Sequence, residues 1–212
     1  MSTNSPSPGP STTPWRSPQA ARPDRFLGSG LVIQTQHPQV RRLAASLRGG
    51  RDDEQFARAA FEWVRDEIAH SFDAGDPRAT LTASEVLYHG VGLCYAKSHL
   101  AAAVLRAGGV PTGLCYQLLA DEENGFVLHG LIAVYLRGRW HRQDVRGNRP
   151  GLDAQFSLDR ERLAYTLDPE SGEIDYPHVQ VAPARTVVDV LSTAENILTA
   201  TLPSSLGRGS ST

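Results

Sequence analysis

One stretch limits the folds open to this chain more than any other. It runs Gly90-Val91-Gly92-Leu93-Cys94-Tyr95-Ala96-Lys97-Ser98-His99-Leu100-Ala101-Ala102-Ala103-Val104-Leu105. Two glycines loosen the backbone just ahead of Cys94, and behind it lies a run of Ala and Leu, the strongest helix formers. Gly108-Gly109 with Pro111 beyond is a helix stop. The stretch therefore reads as a helix of roughly 14 residues, about 20 Å long at ~1.5 Å per residue, with Cys94 in its first turn. It is nearly apolar all round, so it must be a buried central element against which the rest packs. A thiol at a helix N-terminus faces unpaired N–H groups and the positive end of the helix dipole, and both favour thiolate. The same position also suits a small buried hydrophobe.

The 212 residues fit one domain with a sizeable core. A net charge of −2 with no basic run gives neither nucleic acid nor a membrane surface as a partner. Cys94 and Cys115, the two cysteines, have no CxxC spacing and make no disulfide framework, so a reduced, cytoplasmic setting is expected. No apolar run is long enough for a transmembrane helix, and no apolar signal-peptide core is visible at the N-terminus. Neither HExxH nor paired CxxC occurs, and no metal or cofactor is expected.

Read in order, residues 1–24 are Ser, Thr, Pro and Gly with little to bury, a disordered tail. Phe26 to Gln34 reads as a short strand or extended segment. Pro38 opens a helix that stops at Gly49-Gly50, and Asp52 or Asp53 caps the next, with Phe56, Ala60, Trp63, Val64 and Ile68 as its apolar stripe. Ser71 to Thr80 reads as a loop and Ala83 to His89 as a short helix. Past the central helix the period changes to strands over Thr112–Leu119, Phe126–Leu136 and Arg139–Val145. Leu158–Leu167 reads as partly helical and Val187–Thr199 as a last amphipathic helix. The domain is expected over 25–201, with a second disordered tail over 202–212.

The hairpin carries the chemistry. If Arg137-Gly138 is a two-residue turn, Leu136 faces Arg139, Tyr135 faces Trp140 and Leu131 faces Asp144. The period of two then puts His129, Leu131, Trp140 and Asp144 on one side of the sheet. His129 and Asp144 become diagonal neighbours about 7–8 Å apart in backbone, a gap two facing side chains can close. An imidazole held by a carboxylate is the geometry of a general base, although a lone histidine in a strand also occurs as a satisfied core residue. A cysteine at a helix start, together with a His and an Asp on one face, favours catalysis. His141 points to the other face. His99 is off the Cys94 face, while His37, His70, His89 and His178 read as solvent-facing, Lys97 as a solvated lysine and Cys115 as packing.

These residues resemble the transglutaminase-like superfamily of papain-fold cysteine enzymes. Three segments carry the resemblance, over about residues 50–150: Phe61 to Ile68; Ala83-Ser84-Glu85-Val86-Leu87 through Gly92-Leu93-Cys94 to Arg106-Ala107-Gly108-Gly109-Val110-Pro111; and His129 through Trp140 to Asp144. The resemblance implies Cys94 as nucleophile, His129 as general base and acid, and Asp144 as the residue orienting His129. Asp144-Val145-Arg146-Gly147-Asn148 with Asp153-Ala154-Gln155-Phe156 is similar to a bacterial branch of stand-alone members described as candidate cysteine proteases. Two departures stand out. Gly130 follows His129 where many members carry a bulky residue, and the only oxyanion donor that can be named is the Cys94 backbone N–H.

The expected fold is α+β with a papain-like, transglutaminase-like core: the Cys94 helix on an antiparallel sheet of residues 112–145. The expected function is acyl transfer or hydrolysis on peptide or protein amides through a thioester, with water or an amine as acceptor. A non-catalytic peptide- or protein-binding module on the same fold is the alternative.

Overall fold

In a computed structural model, described here for residues 22–123 and 125–207, the apolar stretch is a helix at the centre of the molecule. The first helices are set by local rules. Helix α1 (Pro38–Arg48) has Pro at its start and ends on left-handed Gly49. Helix α2 (Asp53–Glu67) begins with a reciprocal capping box between Asp52 and Gln55. A two-residue strand, β1 (Ala69–His70), leads into one helical turn, α3 (Ser71–Ala74), inside the segment expected to be loop. Helix α4 (Ala83–His89), capped by a Thr82–Glu85 box, delivers the chain to β2 (Val91–Gly92). Helix α5 (Cys94–Ala107) follows at once, and every residue from Cys94 to Arg106 is buried.

Strands β3 (Thr112–Asp121), β4 (Gly125–Leu136) and β5 (Arg139–Gln143) form the antiparallel sheet, and β6 (Ile174–Asp175) adds to β3, giving the order β5-β4-β3-β6. The hairpin register is the expected one, with Leu136 opposite Arg139 and Tyr135 opposite Trp140. Arg137 and Gly138 both have positive φ, 51° and 75°, as a two-residue turn matched to strand twist requires. The two faces have different covers. Leu128, Ile132, Val134 and Leu136 join the α1, α2 and α5 side chains in the main core. Leu131, Ala133 and Trp140 form a second cluster with Phe26 and Cys115, closed by Leu163, Val179 and Val181.

Four local expectations are corrected. Pro23–Leu27 is a 3-10 turn, not tail or strand, because Phe26 leaves the backbone to pack edge-on against Trp140 at 4.7 Å. Leu158–Leu167 is not helical: its backbone serves tertiary partners, with Ala164 N–H on Asp144 Oδ2 and Arg162 C=O taking Gln155 N–H. The last helix is α6 (Arg185–Thr193), shorter than Val187–Thr199 implied and shifted toward the N-terminus. Residues 202–207, expected in a tail, pack on the domain, with Pro203 buried and its carbonyl accepting from Leu128 N–H at 2.7 Å. The rest of the two expected tails, 1–21 and 208–212, lies outside the described residues. No helix among the described residues is long and apolar enough to cross a membrane.

Candidate active site

Cys94 is the first residue of α5, so its own N–H and those of the next residues have no acceptor within the helix. His129 and Asp144 come from the hairpin. The Nε2 of His129 lies 2.7 Å from Asp144 Oδ2, with both side chains buried. That engagement leaves Nδ1 as the ring's other nitrogen, and the sulfur of Cys94 lies near enough to act on the charge of the ring.

The way Cys94 reaches His129 follows from the strand register. His129 shares the parity of Leu131 and Ala133, on the sheet face away from α5. Pairing of β4 with β5 ends at Ile132–Gln143, so the outward N–H groups of Gly130 and Leu128 lie beyond the end of β5. Gly130 N–H donates to Cys94 Sγ at 3.4 Å, and Leu128 N–H donates to Pro203 C=O. The sulfur therefore sits at the buried rim of β4 that β5 leaves unpaired, beside the residue that follows His129. Glycine at 130 permits this: a Cβ there would lie 2.8 Å from Tyr95 Cδ1 and 3.2 Å from Tyr95 Cα. Tyr95 is held in place by its hydroxyl, which donates to Leu128 C=O.

The electrostatics favour an ion pair. Burial opposes a charge on His129, but the carboxylate of Asp144 and the sulfur of Cys94 outweigh it and hold the imidazole well above its usual pKa. Burial also opposes a charge on Asp144. It is overcome by His129 and by two backbone N–H bonds, from Arg146 to Oδ1 and Ala164 to Oδ2, each 3.0 Å, so the carboxyl titrates below its ordinary range. Tyr165 stands edge-on to His129 with ring centroids 4.9 Å apart. Arg146 donates to the Tyr165 hydroxyl and, through both terminal nitrogens, to Asp73 at 2.6 and 3.0 Å, tying the loop after β5 to α3.

The three residues singled out by sequence thus come together. His141 points to the other face and hydrogen-bonds Leu136 C=O, and Cys115 is core packing whose thiol burial pushes up to about 12. Two expectations fail. Lys97 is wholly buried: its Nζ donates to the backbone carbonyls of Arg65 at 3.1 Å and of Ile68. Burial lowers it to about 7, helped by Arg146 and opposed by Asp144, Asp66 and Asp73. A lone lysine on an otherwise apolar helix was the available signal, because every face of such a helix is covered. His70 is also buried, and it stands opposite Gly92 in the β1–β2 pair. No sequence signal marked it.

The sequence model of the transglutaminase-like superfamily matches residues 41–145, which hold Cys94, His129 and Asp144. The chain belongs to the transglutaminase-like superfamily. At the family level this is a fold of cysteine-dependent enzymes. Among solved structures, a candidate cysteine protease from Cytophaga hutchinsonii is 20% identical with a TM-score of 0.47, over 57% of this chain and 40% of that one. The periplasmic domain of TgpA from Pseudomonas aeruginosa is 18% identical with a TM-score of 0.45, over 59% and 48%. A TGase is 17% identical with a TM-score of 0.43, over 57% and 33%. The matched part thus spans less than half of each of those chains. No curated protein matches the sequence.

Proposed function

We propose that this transglutaminase-like protein is a thiol acyltransferase or hydrolase acting on amides of peptides or proteins, with Cys94 as nucleophile, His129 as acid and base, and Asp144 as the group that orients His129. The observation that carries the reading is the buried His129–Asp144 pair at 2.7 Å, with the Cys94 sulfur held on the N–H of Gly130, the residue after His129. Binding alone requires none of these three.

The Cys94 thiolate adds to the amide carbonyl carbon, and the carbonyl electron pair moves onto oxygen. When that oxyanion collapses, the C–N bond breaks and His129 gives its proton to the leaving amine. Cys94 is left as a thioester and His129 as neutral imidazole. His129 then takes a proton from the acceptor, which attacks the thioester and releases the thiolate. Water as acceptor gives hydrolysis and a primary amine gives transamidation. Asp144 balances the charge on His129 in the states where it is protonated.

The test is a proteome-derived peptide library incubated with and without a primary amine, read by mass spectrometry for cleavage, deamidation or crosslinking. Activity from the native protein that is lost in Cys94→Ala supports the reading. Comparable activity from Cys94→Ala removes the nucleophile assignment, and a native protein that binds peptides without altering them is a binding module.

A further inference from the structure

His129 shares the parity of Leu131 and Ala133, on the sheet face away from α5. Its cover there comes from three consecutive residues that lie in neither helix nor strand. Leu163 packs on the outer cluster around Trp140, and Ala164 N–H donates to Asp144 Oδ2 at 3.0 Å. The half-buried ring of Tyr165 stands edge-on to the His129 imidazole, with centroids 4.9 Å apart and planes at 79°. The Tyr165 hydroxyl accepts from Arg146 Nε at 3.2 Å, and the backbone N–H of Arg146 donates to Asp144 Oδ1. The two residues that give backbone N–H groups to the carboxylate are therefore linked through Tyr165, which also touches the imidazole. Arg146 is anchored in turn by both terminal nitrogens on Asp73 of α3, and it holds that carboxyl below its ordinary range, so the pair stays charged near neutral pH.

We propose that Tyr165 is a positioning residue for His129, its ring fixing the tilt of the imidazole while Arg146 and Asp73 hold the Tyr165 hydroxyl in place. The role rests on the acyl-transfer reading above. No bond is made or broken at Tyr165. The proton still passes between His129 and the leaving amine or the acceptor, and Tyr165 sets the direction in which the imidazole presents it.

The need for a second contact follows from the shape of histidine. The ring turns about its Cβ–Cγ bond, a torsion with broad minima. Nε2 lies close to the extension of that bond, so the hydrogen bond to Asp144 restrains the turn only weakly. A neighbouring ring held edge-on restrains it directly, because any turn drives one of the two rings into the other. Tyr165 can do this only if it is itself fixed. Its backbone belongs to no regular element, so the fixing falls to Leu163 in the outer cluster, Ala164 on Asp144 and Arg146 on the hydroxyl. Proton transfer is sensitive to such placement, since a shift of about 1 Å in a reacting group costs on the order of 10²-fold in rate.

The test uses the full chain and reads His129 directly as well as through turnover. Proton NMR of the native protein should show through-space contacts between the Tyr165 ring and the His129 imidazole. It should also show a sharp downfield imidazole N–H signal from the bond to Asp144, absent from His129→Gln. Tyr165→Leu removes the ring, Tyr165→Met is a second ringless variant should the first fail to fold, and Tyr165→Phe keeps the ring without the hydroxyl. On a peptide identified by the library test, kcat of the ringless variants should fall roughly ten- to hundredfold with KM little changed, at or below the low end of the ~10²–10⁴ that acid–base catalysis supplies. Their imidazole N–H signal should broaden by exchange with water, and Tyr165→Phe should recover most of kcat and the sharp signal. Ringless variants that keep native kcat and the native signal, even with a lowered urea midpoint, overturn the role of Tyr165. A Tyr165→Phe protein as slow as Tyr165→Leu overturns the part given to the ring. A native protein that shows the expected NMR signals but alters no peptide instead overturns the acyl-transfer reading.

Discussion

Asp144→Asn tests the charge on the carboxylate while keeping its volume. The two oxygens of Asp144 accept three N–H groups: Oδ1 from Arg146 at 3.0 Å, and Oδ2 from His129 Nε2 at 2.7 Å and Ala164 at 3.0 Å. An amide has one oxygen. Placed at the Oδ2 position it keeps His129 and Ala164, and its NH2 faces the N–H of Arg146. The opposite orientation sets the NH2 against two donors, so the first prevails. One buried backbone N–H then lacks an acceptor, at about 1–3 kcal/mol of stability. His129 stays oriented but loses the negative charge that offsets its burial, so its proton is held less tightly and its charged form is less populated. Turnover should fall ~10–10³-fold, less than the ~10⁴ of a serine triad, because a thiol is intrinsically a strong nucleophile. The assays are urea unfolding, kcat on a peptide identified by the library test, and the iodoacetamide rate at Cys94 over about pH 5 to 9. Alkylation near neutral pH should slow, because His129 holds less readily the proton that the sulfur gives up. An Asp144→Asn protein that loses stability yet keeps native kcat and the native alkylation profile would show that Asp144 only supports the loop.

Three further outcomes follow from particular contacts. Gly130→Ala should cost about 1–3 kcal/mol and slow Cys94 alkylation, because the new methyl presses on Tyr95 and drives the start of α5 away from β4; native melting and reactivity would refute that close approach. A chain ending at Thr201 loses the Pro203 carbonyl on Leu128 N–H and the packing of Leu202 and Leu206, so its urea midpoint should drop by an amount equivalent to at least about 1–3 kcal/mol, and an unchanged midpoint would show that the segment does not dock in solution. Burial lowers His99 to about 4, against ~6.5 in an unfolded chain, so below about pH 6.5 the unfolded state binds a proton the folded state refuses, and up to about 3 kcal/mol is lost as pH falls to about 4. His99→Gln should flatten that part of the urea stability curve, and an unaltered curve would clear His99 of the acid sensitivity.

Much of this architecture was legible in the chain because the signals are local. The start of α1 at Pro38, the Asp52 cap of α2, and α5 between Gly92 and Gly108 depend on residues within a turn of each boundary. The site was legible in part for a less local reason. A two-residue turn at Arg137-Gly138 and a strict period of two convert neighbouring residues into a register, and register carries His129 to Asp144 across 15 positions. Only the tertiary structure decided the rest. Nothing near Leu158–Leu167 tells the chain that Ala164 will give its N–H to Asp144, so a helical pattern there yields to a distant carboxylate. The placement of Cys94 at the rim of β4 depends on where β5 stops, on a glycine that admits Tyr95, and on Pro203 closing the same edge from the far end of the chain. The burial of His70 and Lys97 likewise depends on walls contributed by β1, α5 and the loop after β5. A side chain's period reports which way it points, but its charge state and its partners belong to whatever segments the fold brings against it, and those are encoded elsewhere in the sequence.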